Sequence, residues 1–119
     1  MQYMLLIYQN EKAWAAMNEA ERNKQFGAYM QFTEEVKKSG HLRAGDALQP
    51  ISTATTVRVR NGKTQTTDGP FAETREQLGG YYLIEAKDLD EATKIAARIP
   101  DVAIGDGSIE IRPVMNFDK

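Results

Sequence analysis

The sequence predicts an α+β fold of the ferredoxin-like type, ordered βαββαβ, with a β-hairpin inserted before the third core strand. Three observations lead there. The chain opens on a strand pattern that is apolar on both faces. Two helical segments each begin with Asn or Asp followed three residues later by Glu. Between them, Asn61-Gly62 marks a tight hairpin turn flanked by alternating residues.

In the first strand, Gln2 to Gln9, Tyr3, Leu5 and Ile7 alternate with Met4, Leu6 and Tyr8, so both faces ask for burial. Glu11 to Met17, with Trp14, reads as a turn or short helix over a sheet edge. Asn18 and Glu21 form a capping-box pattern opening a long helix, Glu19 to Lys38, about 30 Å in length. Its expected inward stripe is Phe26, Tyr29, Met30, Phe32, Thr33 and Val36, and Gly40 ends it. His41 to Gln49 is a weaker strand stopped by Pro50. In the hairpin from Thr55 to Thr67, a two-residue turn pairs Arg60 with Lys63, Val59 with Thr64 and Thr55 with Asp68. Leu78 to Ala86 is the next strand. Asp88 and Glu91 then open a second helix with Leu89, Ala92, Ala96 and Ile99 inward, followed by Pro100, and Ser108 to Met115 closes the sheet. Two helices cover one face of a four-stranded sheet about 19 Å wide. The second apolar face predicts a homodimer packed sheet on sheet.

Composition narrows the function. At 119 residues the chain is expected to be a single domain, 1–119, with 41% apolar and 27% charged residues. A net charge of −2 argues against nucleic acid as a partner. The absence of cysteine removes disulfides and thiolate sites, and the lone His41 rules out a histidine cluster, so no metal and no cofactor are expected. Met4 to Tyr8 is too short for a signal segment and no run matches a membrane span. The expected setting is cytoplasmic, without membrane association.

The stretch from Thr67 to Tyr82 carries the functional candidates. In Asp68-Gly69-Pro70 the usual acceptor role of a turn Asp toward the N–H two residues on is blocked, because Pro70 has none. Asp68 therefore reads either as a cap on a later donor such as the Phe71 N–H, or as a general base or ligand anchor. Arg75 suits a bidentate grip on an anion, or a solvated surface pair. Phe71, Tyr81 and Tyr29 are the aromatic candidates for a mainly apolar pocket between the long helix and the sheet, with Asp68 at its rim. Gly79-Gly80 permits close approach of backbone or ligand. His41 and Asp46 lie an odd number of residues apart on one strand, which separates them onto opposite faces unless a bulge intervenes.

Residues Tyr3-Met4-Leu5-Leu6-Ile7-Tyr8, Ala54-Thr55-Thr56-Val57-Arg58, Thr67-Asp68-Gly69-Pro70-Phe71-Ala72-Glu73-Thr74, Leu78-Gly79-Gly80-Tyr81-Tyr82 and Ile111-Arg112-Pro113 resemble the YCII-related family, in particular its DGPF subgroup. The resemblance spans nearly the whole chain. It implies a dimeric α/β barrel, a bacterial source and one small cleft per subunit. It also implies either a cofactor-independent lyase- or isomerase-type enzyme or a companion of an extracytoplasmic-function sigma factor. One position departs. Where YCII-type enzymes resemble one another in a helix histidine three residues after an Arg, Arg22 here is followed by Gln25. Two readings of function stand: Asp68-assisted proton transfer on a small organic acid or phenol, and a non-catalytic binding or regulatory module associated with a transcription factor.

Overall fold

A computed structural model of the chain describes residues 1–117. Its elements run β1 (Gln2–Gln9), α1 (Glu11–Ala16), α2 (Glu19–Lys38), β2 (Leu42–Ala47), β3 (Thr55–Arg60), β4 (Lys63–Asp68), β5 (Gln77–Glu85), α3 (Leu89–Ala96), α4 (Pro100–Ala103) and β6 (Ser108–Pro113). Strands β2, β5, β1 and β6 lie side by side in that order, antiparallel throughout, while β3 and β4 form a separate two-stranded sheet. The architecture is α+β.

Local chemistry sets the element ends. The Asn18 side chain accepts from the Glu21 N–H at 2.8 Å, and the Glu21 carboxylate accepts from the Asn18 N–H at 3.1 Å, a reciprocal cap on α2. Asp88 repeats half of this device at α3, accepting from the Glu91 N–H at 2.9 Å. In the hairpin turn Asn61 and Gly62 have φ of 54° and 75°, the two positive angles that a tight hairpin requires. The expected register follows, with Arg60 opposite Lys63, Val59 opposite Thr64 and Thr55 opposite Asp68.

The core lies between one face of the sheet and the helices. Tyr3, Leu5 and Ile7 of β1 and Tyr82 and Ile84 of β5 pack with Phe32 and Val36 of α2, and with Ala92, Ile95 and Ala96 of α3 followed by Ile99. Two expected stripes are narrower than the sequence suggested. Leu89 is 55% exposed, because it sits on the first turn of α3, outside the run of Ala92, Ile95, Ala96 and Ile99 that meets the sheet. Phe26 and Met30 are also exposed, because the buried side of α2 runs through Tyr29, Phe32 and Val36 and both residues lie to one side of it. Pro100 starts a further helical turn, α4, rather than closing the helical region.

Alternation places Met4, Leu6 and Leu83 on the opposite face, which no helix among the described residues covers. The molecule is a slab of 49 × 48 × 19 Å with a radius of gyration of 16.3 Å. A compact chain of this length has a radius near ~13.5 Å. The excess reflects the β3–β4 hairpin, which pairs with itself and stands away from the four-stranded sheet.

Candidate functional site

Between α1, α2 and the β2–β5 side of the sheet is a cavity of about 560 Å³, a size suited to a small metabolite. Its walls are largely apolar and aromatic. Trp14 of α1 and Phe26 of α2 meet edge to face at its mouth, with ring centroids 5.3 Å apart and planes at 79°. Phe26 is thus explained as a mouth residue rather than a core residue.

The polar groups gather around α4. Ile99 and Pro100 are buried, which pins the short helix and turns Asp101 toward the cavity. The Tyr29 hydroxyl, from the middle of α2, donates to the Asp101 carboxylate. Gln9, at the end of β1, is assigned with its amide nitrogen toward Asp101. It then donates to the two carboxylate oxygens at 3.2 Å each, whereas the opposite orientation would set oxygen against oxygen. Burial pushes the Asp101 carboxyl above its usual range, and the hydrogen bond from Tyr29 opposes that rise. Burial first, and then the bond to Asp101 and its charge, push the Tyr29 phenol far above its ordinary value. The phenol therefore stays protonated at physiological pH and serves as a donor, not a base. Deeper in, the Tyr82 hydroxyl lies 2.7 Å from Thr33 Oγ1. Burial raises the Tyr82 phenol, and its Thr33 contact acts in the opposite sense.

The paired glycines shape the wall. A Cβ on Gly80 would lie 2.9 Å from the Asp46 carbonyl oxygen and 3.3 Å from Ala47 Cα, so glycine lets β2 approach β5. Gly79 is the extra residue where the β1–β5 register shifts, and a Cβ there would lie 2.6 Å from the Gln9 amide group. The glycine leaves the space in which Gln9 reaches Asp101. At the outer wall the Tyr81 hydroxyl donates to Asp46 at 2.7 Å, a bond that raises the Tyr81 phenol.

Of the residues singled out from the sequence, Tyr29 lines this cavity with its ring, and Tyr81 belongs to its β5 wall with its ring turned to the other face of the sheet, opposite Leu6 and toward Asp46. Asp68, Phe71 and Arg75 do not line it. Asp68 is exposed at the open end of the hairpin, and its carboxylate makes no hydrogen bond with the described residues, so it caps neither Phe71 nor any other donor. The rim position expected for it is corrected on this point. Asp68 belongs to a two-stranded sheet that pairs with no other described strand, and Thr55, not the cavity wall, is its cross-strand neighbour. Phe71 is 81% exposed, and Arg75 is exposed in an irregular stretch rather than in a helical turn after Pro70. His41 and Asp46 form no dyad even though the β2–β5 register shifts between Leu42 and Ala44. His41 contacts Ser39 Oγ at 2.7 Å and Glu91 at 3.4 Å, while Asp46 pairs with Tyr81.

Sequence reasoning missed Asp101 and Gln9. Asp101 follows Ile99-Pro100 and looks like an ordinary acidic residue in a helical first turn, and its partner Tyr29 is remote in sequence. One signal was available: Gln25, which stands where the resemblance calls for a histidine, lines the same cavity.

Among the described residues no three His, Asp or Glu side chains gather as metal ligands, and no helix is long and apolar enough to cross a membrane. The family model of the YCII-related domain matches residues 1–118. An uncharacterised protein of Rhizobium meliloti (strain 1021) is 35% identical over 114 residues, covering 96% of this chain and 92% of that protein.

Proposed function

Since the chain belongs to the YCII-related domain family, we propose that its function is to bind a small molecule in the cavity beside α2, with Tyr29 and Asp101 meeting the polar group. The observation that carries this reading is the hydrogen-bonded pair itself, a phenol and a half-buried carboxylate set in a largely apolar cavity. Such a pocket, with few convergent polar groups and a shifted carboxyl, is the usual form of a small-molecule site. The Asp68-Gly69-Pro70-Phe71 motif supports placing the chain in the DGPF subgroup.

The reading includes a homodimer. The uncovered apolar face of the sheet and the projecting hairpin, with Val57 and Val59 each 59% exposed, both support a second copy as the cover. In that assembly Asp68, Phe71 and Arg75 are available to a neighbouring subunit, and only there does the expected role of Asp68 as base find a partner.

A second reading, proton transfer, draws on the raised carboxyl of Asp101. A carboxylate moved toward neutrality by burial is a better base, and a permanently protonated phenol beside it stabilises negative charge developing on the substrate. A lyase or isomerase step of this kind needs no cofactor.

A thermal-shift screen of small aromatic and amine compounds tests the binding reading. Compounds that raise the melting temperature are expected to change the emission of Trp14, the chain's single tryptophan, at the cavity mouth. Both effects are expected to vanish in Ala47→Phe, which fills the cavity from an edge position. Stabilisation that persists in Ala47→Phe without any change in Trp14 emission would place the site elsewhere.

A further inference from the structure

The charge of the cavity is one-sided. The Asp and Glu residues in its wall are Glu11, Asp46 and Asp101, and no lysine, arginine or histidine is among the described residues that line it. Two of the three acids already have local work. Glu11 accepts from the Ile51 N–H at 3.0 Å, and Asp46 accepts from Tyr81. Asp101 differs. It is partly buried, it faces the cavity, and its side-chain partners, Tyr29 and Gln9, are neutral donors. No ion pair joins it to a cation among the described residues.

A carboxylate held out of water without a counter-ion is costly, and two neutral hydrogen bonds offset that cost only in part. The remaining walls are what a cation prefers. Trp14, Phe26, Tyr29 and Tyr82 line the space, and the negative faces of such rings attract an ammonium group, most strongly where water is excluded. An organic acid meets the opposite situation, because it would enter beside an unneutralised carboxylate with no cation to receive it.

We infer that the cavity takes a small organic cation, an alkylammonium or quaternary ammonium group on an apolar body, with Asp101 as counter-ion and the aromatic walls as the cage. This inference rests on the cavity being the binding site. It replaces the small organic acid or phenol expected with Asp68 as base, and the anion that Arg75 would grip, with a cationic ligand. A quaternary ammonium satisfies it as well as a primary amine does, because the recognition comes from charge and ring faces rather than from donated protons.

Three probes on one phenyl body decide it: phenyltrimethylammonium, its neutral isostere tert-butylbenzene, and the smaller, planar anion benzoate. Affinity is read from Trp14 emission and by calorimetry on the full chain. The ammonium is expected to bind at least about tenfold more tightly than tert-butylbenzene, with benzoate weakest. In Asp101→Asn the preference for the cation over the isostere is expected to fall below about threefold, while tert-butylbenzene binds as before. Asparagine keeps an acceptor for Tyr29, and if that variant does not fold, the comparison of the three probes on the unsubstituted chain decides alone. Equal binding of the cation and its isostere overturns the charge inference and leaves the cavity reading standing. So does a cation preference that survives in folded Asp101→Asn. Failure of all three probes to bind overturns both.

Discussion

Tyr29→Phe isolates the polar pair with the least disturbance to packing. The ring remains against α2 and the sheet, and only the donor to Asp101 is removed. Asp101 then keeps Gln9 as its side-chain donor, through two contacts of 3.2 Å. A hydrogen bond to a charged group contributes about 1.5–3 kcal/mol, and the incomplete burial of the pair argues for the lower half, about 1.5–2 kcal/mol. At roughly 2.1 cal/mol/K per residue, a chain of 119 residues unfolds with an entropy near ~0.25 kcal/mol/K. The expected fall in melting temperature at pH 7 is therefore about 6–8 °C.

The loss has a pH signature with a definite sign. Tyr29 lowers the Asp101 pKa in the folded chain, against the rise caused by burial. Removing the phenol raises that folded pKa further, so folded Tyr29→Phe binds a proton at higher pH than the unsubstituted protein does. The stability difference is then fully present above both folded values. It shrinks as pH falls through them, toward the about 0.5–1.5 kcal/mol of a neutral hydrogen bond. Circular-dichroism melts of both proteins from pH 7 down through the carboxyl range measure this directly. A loss of the same size at every pH would refute the reasoning, because it would show that the hydroxyl fills space and does not serve a carboxylate.

Two further expectations concern the hairpin. Asp68→Asn is expected to shift the melting temperature by less than about 2 °C, since the carboxylate is exposed and bonds to no described residue; a larger fall would mean that it holds the hairpin exit. Light scattering at micromolar concentration is expected to give twice the 13.3 kDa chain mass, moving toward one chain mass when Val57 and Val59 are both changed to Asp. A single-chain mass for the unsubstituted protein would remove the dimer from the proposal.

The sequence alone determined whatever short-range chemistry governs. Asn18 with Glu21 and Asp88 with Glu91 announce helix starts because a cap and its partner lie within one turn, and both caps are formed. Asn61-Gly62 sets the hairpin register because a two-residue turn leaves a single pairing, so Thr55 meets Asp68. Alternation in β1 separates Tyr3, Leu5 and Ile7 from Met4, Leu6 and Tyr8, but both sets are apolar, and packing decides that the first set is the buried one. The extent of burial along α2 was less legible. Helical spacing identifies a broad stripe but not which part of it meets the sheet, and Phe26 and Met30 lie to one side of the buried Phe32 and Val36.

Only the tertiary structure decided the candidate site. Asp68 carried the strongest local signal, a turn carboxylate denied its usual acceptor role by Pro70, yet it stands on a hairpin that forms a sheet separate from the other described strands. Asp101 carried almost none. It becomes distinctive because Ile99 and Pro100 are buried, which turns it toward a tyrosine of α2 and a glutamine at the end of β1. Those three residues come from distant parts of the chain and share no spacing that a local pattern could reveal. What joins them is the order β2-β5-β1-β6, together with Gly79 and Gly80, which let Gln9 and the β2 backbone close in on the cavity.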